Sequence, residues 1–222
     1  RSVFQKEFPN RYEKLSKPKV IITGIRYFEA IIDKDNSFLP AKSTVTITGD
    51  LNNLYFLLTV LNSKVIAYYI RENYYSASMG GGINFTPDLI RSLPIPQIPT
   101  NKQLFVEYSE QMQKCNQSLL LKRCRFMQRL KDNIPNVKIN STLETFDLFD
   151  FTKFITELKK QKIVLSLREQ DEWEEYFDSY KQQCNDLSSQ IAKTDKEIDY
   201  MVYNLYGLTE EEIEIIENAD VK

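Results

Sequence analysis

The chain has 222 residues and 26.1 kDa, with 29 Lys+Arg against 31 Asp+Glu, which suits one large domain or two small ones. Apolar residues make up 42% and aromatics 12%; that is enough for a packed core, and no apolar run approaches the roughly 20 residues of a bilayer crossing, so a soluble chain is expected. The absence of His excludes Ser-His-Asp and Cys-His triads, His-ligated zinc and any imidazole acid–base step.

The opening Arg1-Ser2-Val3-Phe4-Gln5 has neither an initiator Met nor the apolar core of a signal peptide, and reads as the start of a piece excised from a longer polypeptide. After a lead-in over 1–16, Lys19-Val20-Ile21-Ile22-Thr23 is short, β-branched and preceded by Pro18, as a strand opens. Ile25 to Ile32 alternates loosely, Asp33 to Ser37 is a polar turn, and Ser43 to Thr48 alternates polar with apolar up to Gly49-Asp50. The period then changes. Leu54, Leu57, Leu58, Leu61, Val65, Tyr68 and Tyr69 form one helical stripe, predicting a single helix from Asn53 to about Asn73. Residues 74–82 follow as a loop holding three of the six glycines. Thr86-Pro87-Asp88 is a helix start, with Thr as cap, Pro at the first helical position and an acid in the first turn. Pro94, Pro96 and Pro99 then enforce an extended connector.

The remainder reads as helical. Asn101 can cap a helix over Lys102 to about Asp132, residues 133–145 read as a linker with Pro135 and Asn136, and Phe146 to about Lys162 carries one or two short helices. Ser166-Leu167-Arg168-Glu169 has capping-box form and opens a long acidic helix to Tyr206, which Gly207 can end; Thr209 to Glu212 repeats the form for a last helix. Two helices of such length, joined by about 35 residues, should pack antiparallel. The expected fold class is therefore α+β, with a small β-rich lobe over 17–100 followed by a mainly helical arm over 101–222.

Charge is unevenly spread along the chain. Residues 1–138 hold 20 Lys/Arg and 11 Asp/Glu, whereas residues 139–222 hold 9 and 20. A polyanion feels local potential over about a Debye length, so the first stretch is a candidate DNA surface; two oppositely charged faces that simply attract each other are the plain alternative. Cys115, Cys124 and Cys184 lack Cys-x-x-Cys spacing and read as reduced thiols of a cytoplasmic protein.

Reaction chemistry is poorly represented. The sequence lacks a Gly-x-Gly-x-x-Gly loop, an Asn/Asp/Ser-Pro-Pro-aromatic amine-binding motif and a Gly-x-x-x-x-Gly-Lys-Ser/Thr loop. Asp88 with Glu157 and Lys159 could hold Mg²⁺ in a nuclease, but that spacing is common by chance and Asp88 is better explained by its helix start. No catalytic residue is expected in this chain. Binding chemistry is richer: Lys42, Lys64, Arg71 and Arg91 suit phosphate, while Arg26, Tyr74, Tyr75, Ser76, Ser78 and Asn84 suit base or sugar contacts. Each taken alone is more simply explained as an exposed polar side chain. Asn62 and Ser63 are expected to hold helix and loop together.

Several motifs in order carry a resemblance. Leu61-Asn62-Ser63-Lys64 lies on an aromatic-rich helix, Gly80-Gly81-Gly82 precedes Phe85, Leu93-Pro94-Ile95-Pro96 leads into a long helix, and the end runs Glu197 to Thr209 as Glu-Ile-Asp-Tyr-Met-Val-Tyr-Asn-Leu-Tyr-Gly-Leu-Thr. Together they resemble the TaqI-like C-terminal target-recognition domain of adenine-specific DNA methyltransferases and fused type IIG restriction-modification enzymes. The resemblance implies a sequence-specific module that binds double-stranded DNA and directs a catalytic methyltransferase domain of the same parent chain. That domain would hold S-adenosylmethionine and, where a nuclease is attached, Mg²⁺; no cofactor is expected in this fragment. Half of a type I restriction specificity subunit is the nearest alternative, and a coiled-coil adaptor for protein partners is the alternative of another class.

Overall fold

The computed structural model describes residues 2–23, 25, 26, 28–40, 44–74 and 83–219. In chain order the elements are α1 (Ser2–Glu7), α2 (Pro9–Leu15), β1 (Lys19–Thr23), β2 (Ile25–Arg26), β3 (Ala30–Asp33), β4 (Thr44–Thr48), α3 (Leu51–Leu61), α4 (Lys64–Tyr74), β5 (Ile83–Asn84) and α5 (Pro87–Ser92). Then come α6 (Gln103–Asn133), α7 (Ser141–Glu144), one 3-10 turn at Phe146–Leu148, α8 (Phe151–Lys160), α9 (Leu167–Tyr206) and α10 (Glu210–Asn218). The fold is α+β, with a small sheet and long helices. The lead-in over 1–16 carries two short helices that the sequence pattern does not announce, and the expected linker over 133–145 contains α7.

The chain forms two compact units, residues 1–110 with 196–222, and residues 111–195. Composition suggests a division at 100/101; tertiary contacts place the acidic end of the chain with the sheet. The charge picture changes accordingly. The first unit holds 15 Lys/Arg and 18 Asp/Glu, the second 14 and 13, so the basic and acidic stretches of the sequence are not basic and acidic bodies.

In the first unit an antiparallel sheet has the order β3-β1-β4. Val20 pairs with Ile32 and Ile47, and Ile22 with Ala30 and Val45. Alternation along the strands puts these apolar side chains on one face, where Val20 and Ile22 are fully buried. Asp50 caps α3 by accepting from the backbone N–H of Asn52 and Asn53, and seven of its eleven residues are buried.

One expected helix over 53–73 is two. α3 ends at Asn62, whose side-chain amide accepts from the Ala30 N–H and donates to the Ala30 C=O, both at 2.9 Å. Satisfying both polar backbone groups of a strand residue outweighs a continued helical turn. Ser63 turns its hydroxyl back onto the Val60 carbonyl at 2.7 Å. Asn62 thus holds helix to strand, where a helix-to-loop role is expected, while the Ser63 hydroxyl closes the end of its own helix.

The second unit is helical. Gln111 Nε2 donates to Thr194 Oγ1 at 3.1 Å, Cys115 Sγ contacts Gln190 Oε1 at 3.6 Å, Lys122 bonds Gln183, and Phe126 packs on Trp173, Tyr176 and Phe177. Residue numbers that fall along α6 as they rise along α9 define antiparallel packing. The core joins Phe126 and Leu130 to Leu143, Phe146, Phe154, Leu158, Phe177 and Cys184, and Phe126 stacks on Phe146 with centroids 3.8 Å apart. Arg123 holds the buried Asp147 through two bonds of 2.8 and 2.6 Å. Both expected capping boxes form, at Ser166–Glu169 and Thr209–Glu212.

Candidate nucleic-acid interface

The residues expected to meet DNA all come from the first unit, and its local structure sorts them into three groups. Lys42, Tyr75, Ser76 and Ser78 lie outside the described residues, as do the side chains of Arg26 and Asn84. The backbones of those two are placed, and they are neighbours. β2 and β5 pair antiparallel with Ile25 opposite Asn84 and Arg26 opposite Ile83. Two residues 58 positions apart thus sit on adjacent rungs of one two-stranded ribbon. Beside it the rings of Phe28 and Phe85 meet edge to face at 5.2 Å, with Phe85 buried.

Three described residues flank this ribbon in sequence. Tyr74 closes α4, and its hydroxyl lies 2.7 Å from the Ser92 hydroxyl at the end of α5. The Thr86 side chain caps α5 by accepting from the Leu89 N–H, with Pro87 at the first helical position, as the sequence predicts. Arg91 points outward, its side chain 75% exposed, and pairs with Asp88 at 2.7 Å. Arg71 is more enclosed: it donates to Glu72 and lies over the Tyr68 ring at 5.4 Å. Exposed pairs of this kind contribute little and exchange readily for another anion.

Lys64 is placed differently. Its ammonium pairs with Glu217 on α10 and lies 3.8 Å from Asp199 on α9, and its backbone N–H donates to Asp199 Oδ1 at 2.9 Å. Asp199 is buried, so it serves as the cap of α4, offered from another helix. Burial acts to raise the Glu217 carboxyl, but hydrogen bonds from Lys64 and Tyr203 outweigh it and hold the group below the usual range. Burial and the Glu217 carboxylate push the Tyr203 hydroxyl well up. The Lys64 charge is therefore balanced inside the unit, an arrangement that suits holding helices together rather than gripping phosphate.

This network was not read from the sequence. Its signal is Asp199 amid Ile198, Val202 and Tyr203, a carboxylate on an otherwise apolar helical stripe, which needs a partner once buried. A second buried pair was missed as well: Lys19, with no exposed side chain, contacts Asp33 at 2.6 Å. These two are directly opposite each other on β1 and β3. Asp33 also accepts from the N–H groups of Ser37 and Phe38, which ties the following turn to the sheet.

Among the described residues no three or more Cys, Asp or Glu side chains gather as metal ligands would, and no helix is long and apolar enough to cross a membrane. A family model described as "Domain of unknown function (DUF8810)" matches residues 98–202. No curated protein and no solved structure matches the chain.

Proposed function

We propose that this chain is a sequence-specific recognition module for double-stranded DNA, acting in an adenine-specific methyltransferase or a fused type IIG restriction-modification enzyme whose catalytic domain lies elsewhere on the parent chain. The observation that supports it most is the β2–β5 ribbon, which brings Arg26 and Asn84 to adjacent rungs, on alternate faces, with β5 directly following the Gly-rich segment 75–82 in sequence. A two-stranded ribbon fits the major groove, Arg is the commonest bidentate reader of guanine, and Asn pairs with the two groups adenine shows there. Arg91 and Arg71, close to the same segment in sequence, supply exposed or half-buried cations for the flanking phosphates.

In this reading Arg26 and Asn84 read bases, Tyr74, Tyr75, Ser76 and Ser78 supply sugar or base contacts, and Lys42, Arg71 and Arg91 position the backbone. Lys64 holds α4 against α9 and α10. Selection from a randomised duplex pool tests the assignment. Arg26→Ala and Asn84→Ala should each relax preference at one position at a cost of about 1–3 kcal/mol of discrimination. If both variants select the same site as the parent, the ribbon is not the reader.

A further inference from the structure

The second unit also carries a compact cationic site that the recognition reading does not use. α8 ends in a Schellman turn: the Ile163 N–H donates to the Leu158 C=O at 3.1 Å and the Lys162 N–H to the Lys159 C=O at 2.9 Å. The residue in the left-handed position of that turn is Lys162, at φ 63°, where glycine is the usual occupant. Gly207 fills the same position in the same type of turn at the end of α9, at φ 66°.

Against this turn lies the segment carrying Lys138, locked by a side-chain clasp. Gln161 Oε1 accepts from the Lys138 N–H at 2.8 Å, and Gln161 Nε2 donates to the Lys138 C=O at 3.0 Å. Two residues on, Asn140 donates to Glu157. Lys138, Lys159, Lys160 and Lys162 are thereby gathered at one end of α8, all exposed. One carboxylate answers them: buried Glu157, bonded to Lys160 at 2.6 Å. Among the described residues no carboxylate pairs with Lys138, Lys159 or Lys162.

Helix-dipole stabilisation accounts for Lys159 and Lys160, which lie in the last turn. It does not account for Lys138, which is on another segment, or for Lys162, which occupies a backbone position that disfavours any side chain. Four exposed lysines answered by a single carboxylate give this end of the helix a local positive potential that favours an anion. We infer that the Lys138–Lys159–Lys160–Lys162 cluster is a second phosphate-backbone contact for duplex DNA, sequence-independent and separate from the ribbon that reads bases. This rests on the proposed DNA function for its ligand; a base reader needs such positioning contacts, since phosphates set register while base edges carry sequence.

The test uses the full 222-residue chain and a mixed-sequence duplex, with affinity measured over a range of salt. Lys138→Gln, Lys159→Gln and Lys162→Gly combined should lower the slope of log affinity against log salt by about 0.9 for each contact removed. Glycine at 162 suits the turn, so the variant remains folded, and near-native circular dichroism checks this. Lys138→Arg with Lys159→Arg should retain the slope. An unchanged slope in the neutralised variant overturns the cluster while leaving the base reader standing. A cluster-dependent slope with no site preference, indifferent to Arg26→Ala and Asn84→Ala, upholds the cluster and rejects the base reader. Absence of any duplex binding by the unsubstituted 222-residue chain rejects both.

Discussion

Asp199 and Lys64 are 135 positions apart and meet where α4 begins, the Lys64 N–H donating to the Asp199 carboxylate at 2.9 Å. The contact joins two motifs that lie far apart in the sequence, Leu61-Asn62-Ser63-Lys64 and the Glu197–Thr209 ending. One buried carboxylate caps a helix and also answers a lysine.

Replacement of Asp199 should therefore act through both roles. Asp199→Ala removes a cap and leaves the first N–H of α4 unsatisfied in the interior, at about 1–3 kcal/mol. Asp199→Asn keeps an acceptor and should cost less. Urea unfolding of the two variants measures the difference; equal losses would show that the cap contributes nothing.

The Arg123–Asp147 pair in the second unit is lopsided, with the Arg123 side chain 28% exposed and that of Asp147 fully enclosed. Removing the arginine strands a carboxylate with no route to water, whereas removing the carboxylate leaves a guanidinium that can still reach it. Arg123→Ala should cost about 3–5 kcal/mol and Asp147→Ala clearly less. The reverse order in thermal or denaturant unfolding would reject this account.

Two turns with matched geometry carry opposite residues. Lys162→Gly should raise stability by about 0.5–1 kcal/mol, because the left-handed conformation no longer opposes a Cβ. Gly207→Ala should lower it by about 1 kcal/mol for conformational reasons alone, since a Cβ there would meet nothing within 4 Å. Melting temperatures shifting in the same direction for both would contradict the assignment.

Cys184 is buried beside Asp147, and burial followed by that carboxylate pushes its thiol up from 9.0 to about 11. Between these values the unfolded chain releases a proton that the folded chain keeps. Its contribution to stability is thus complete below about pH 9 and declines as pH rises toward 11. Cys184→Ala should flatten that decline in a pH series of denaturant unfolding. Cys115 is buried and Cys124 exposed, so a thiol reagent at neutral pH should modify one of the three cysteines quickly in the native chain and all three after unfolding. Rapid native modification of Cys184 would contradict its enclosure.

Residues whose structure depends on near neighbours were legible in the sequence. β1 and β4 follow their β-branched runs, Thr86 and Thr209 cap the helices they precede, Ser166 closes a box with Glu169, and Gly207 ends α9. Each is decided within a few positions by propensity, capping or φ. The break at Asn62 was not legible, because its cause is Ala30 in a strand 32 positions earlier.

By itself the sequence determined the fold class, the long helices with several of their caps, and the absence of imidazole chemistry. Only the tertiary structure decided which partner each charge takes. Lys64 reads like Arg91 in sequence, yet one is tied to Glu217 on a distant helix and the other, 75% exposed, pairs with Asp88 of its own short helix. The basic and acidic stretches likewise mix once residues 196–222 join the sheet-bearing unit. The physical reason is range: backbone preferences act over a turn or two, whereas a charge is balanced by whichever group folding brings within a few ångströms.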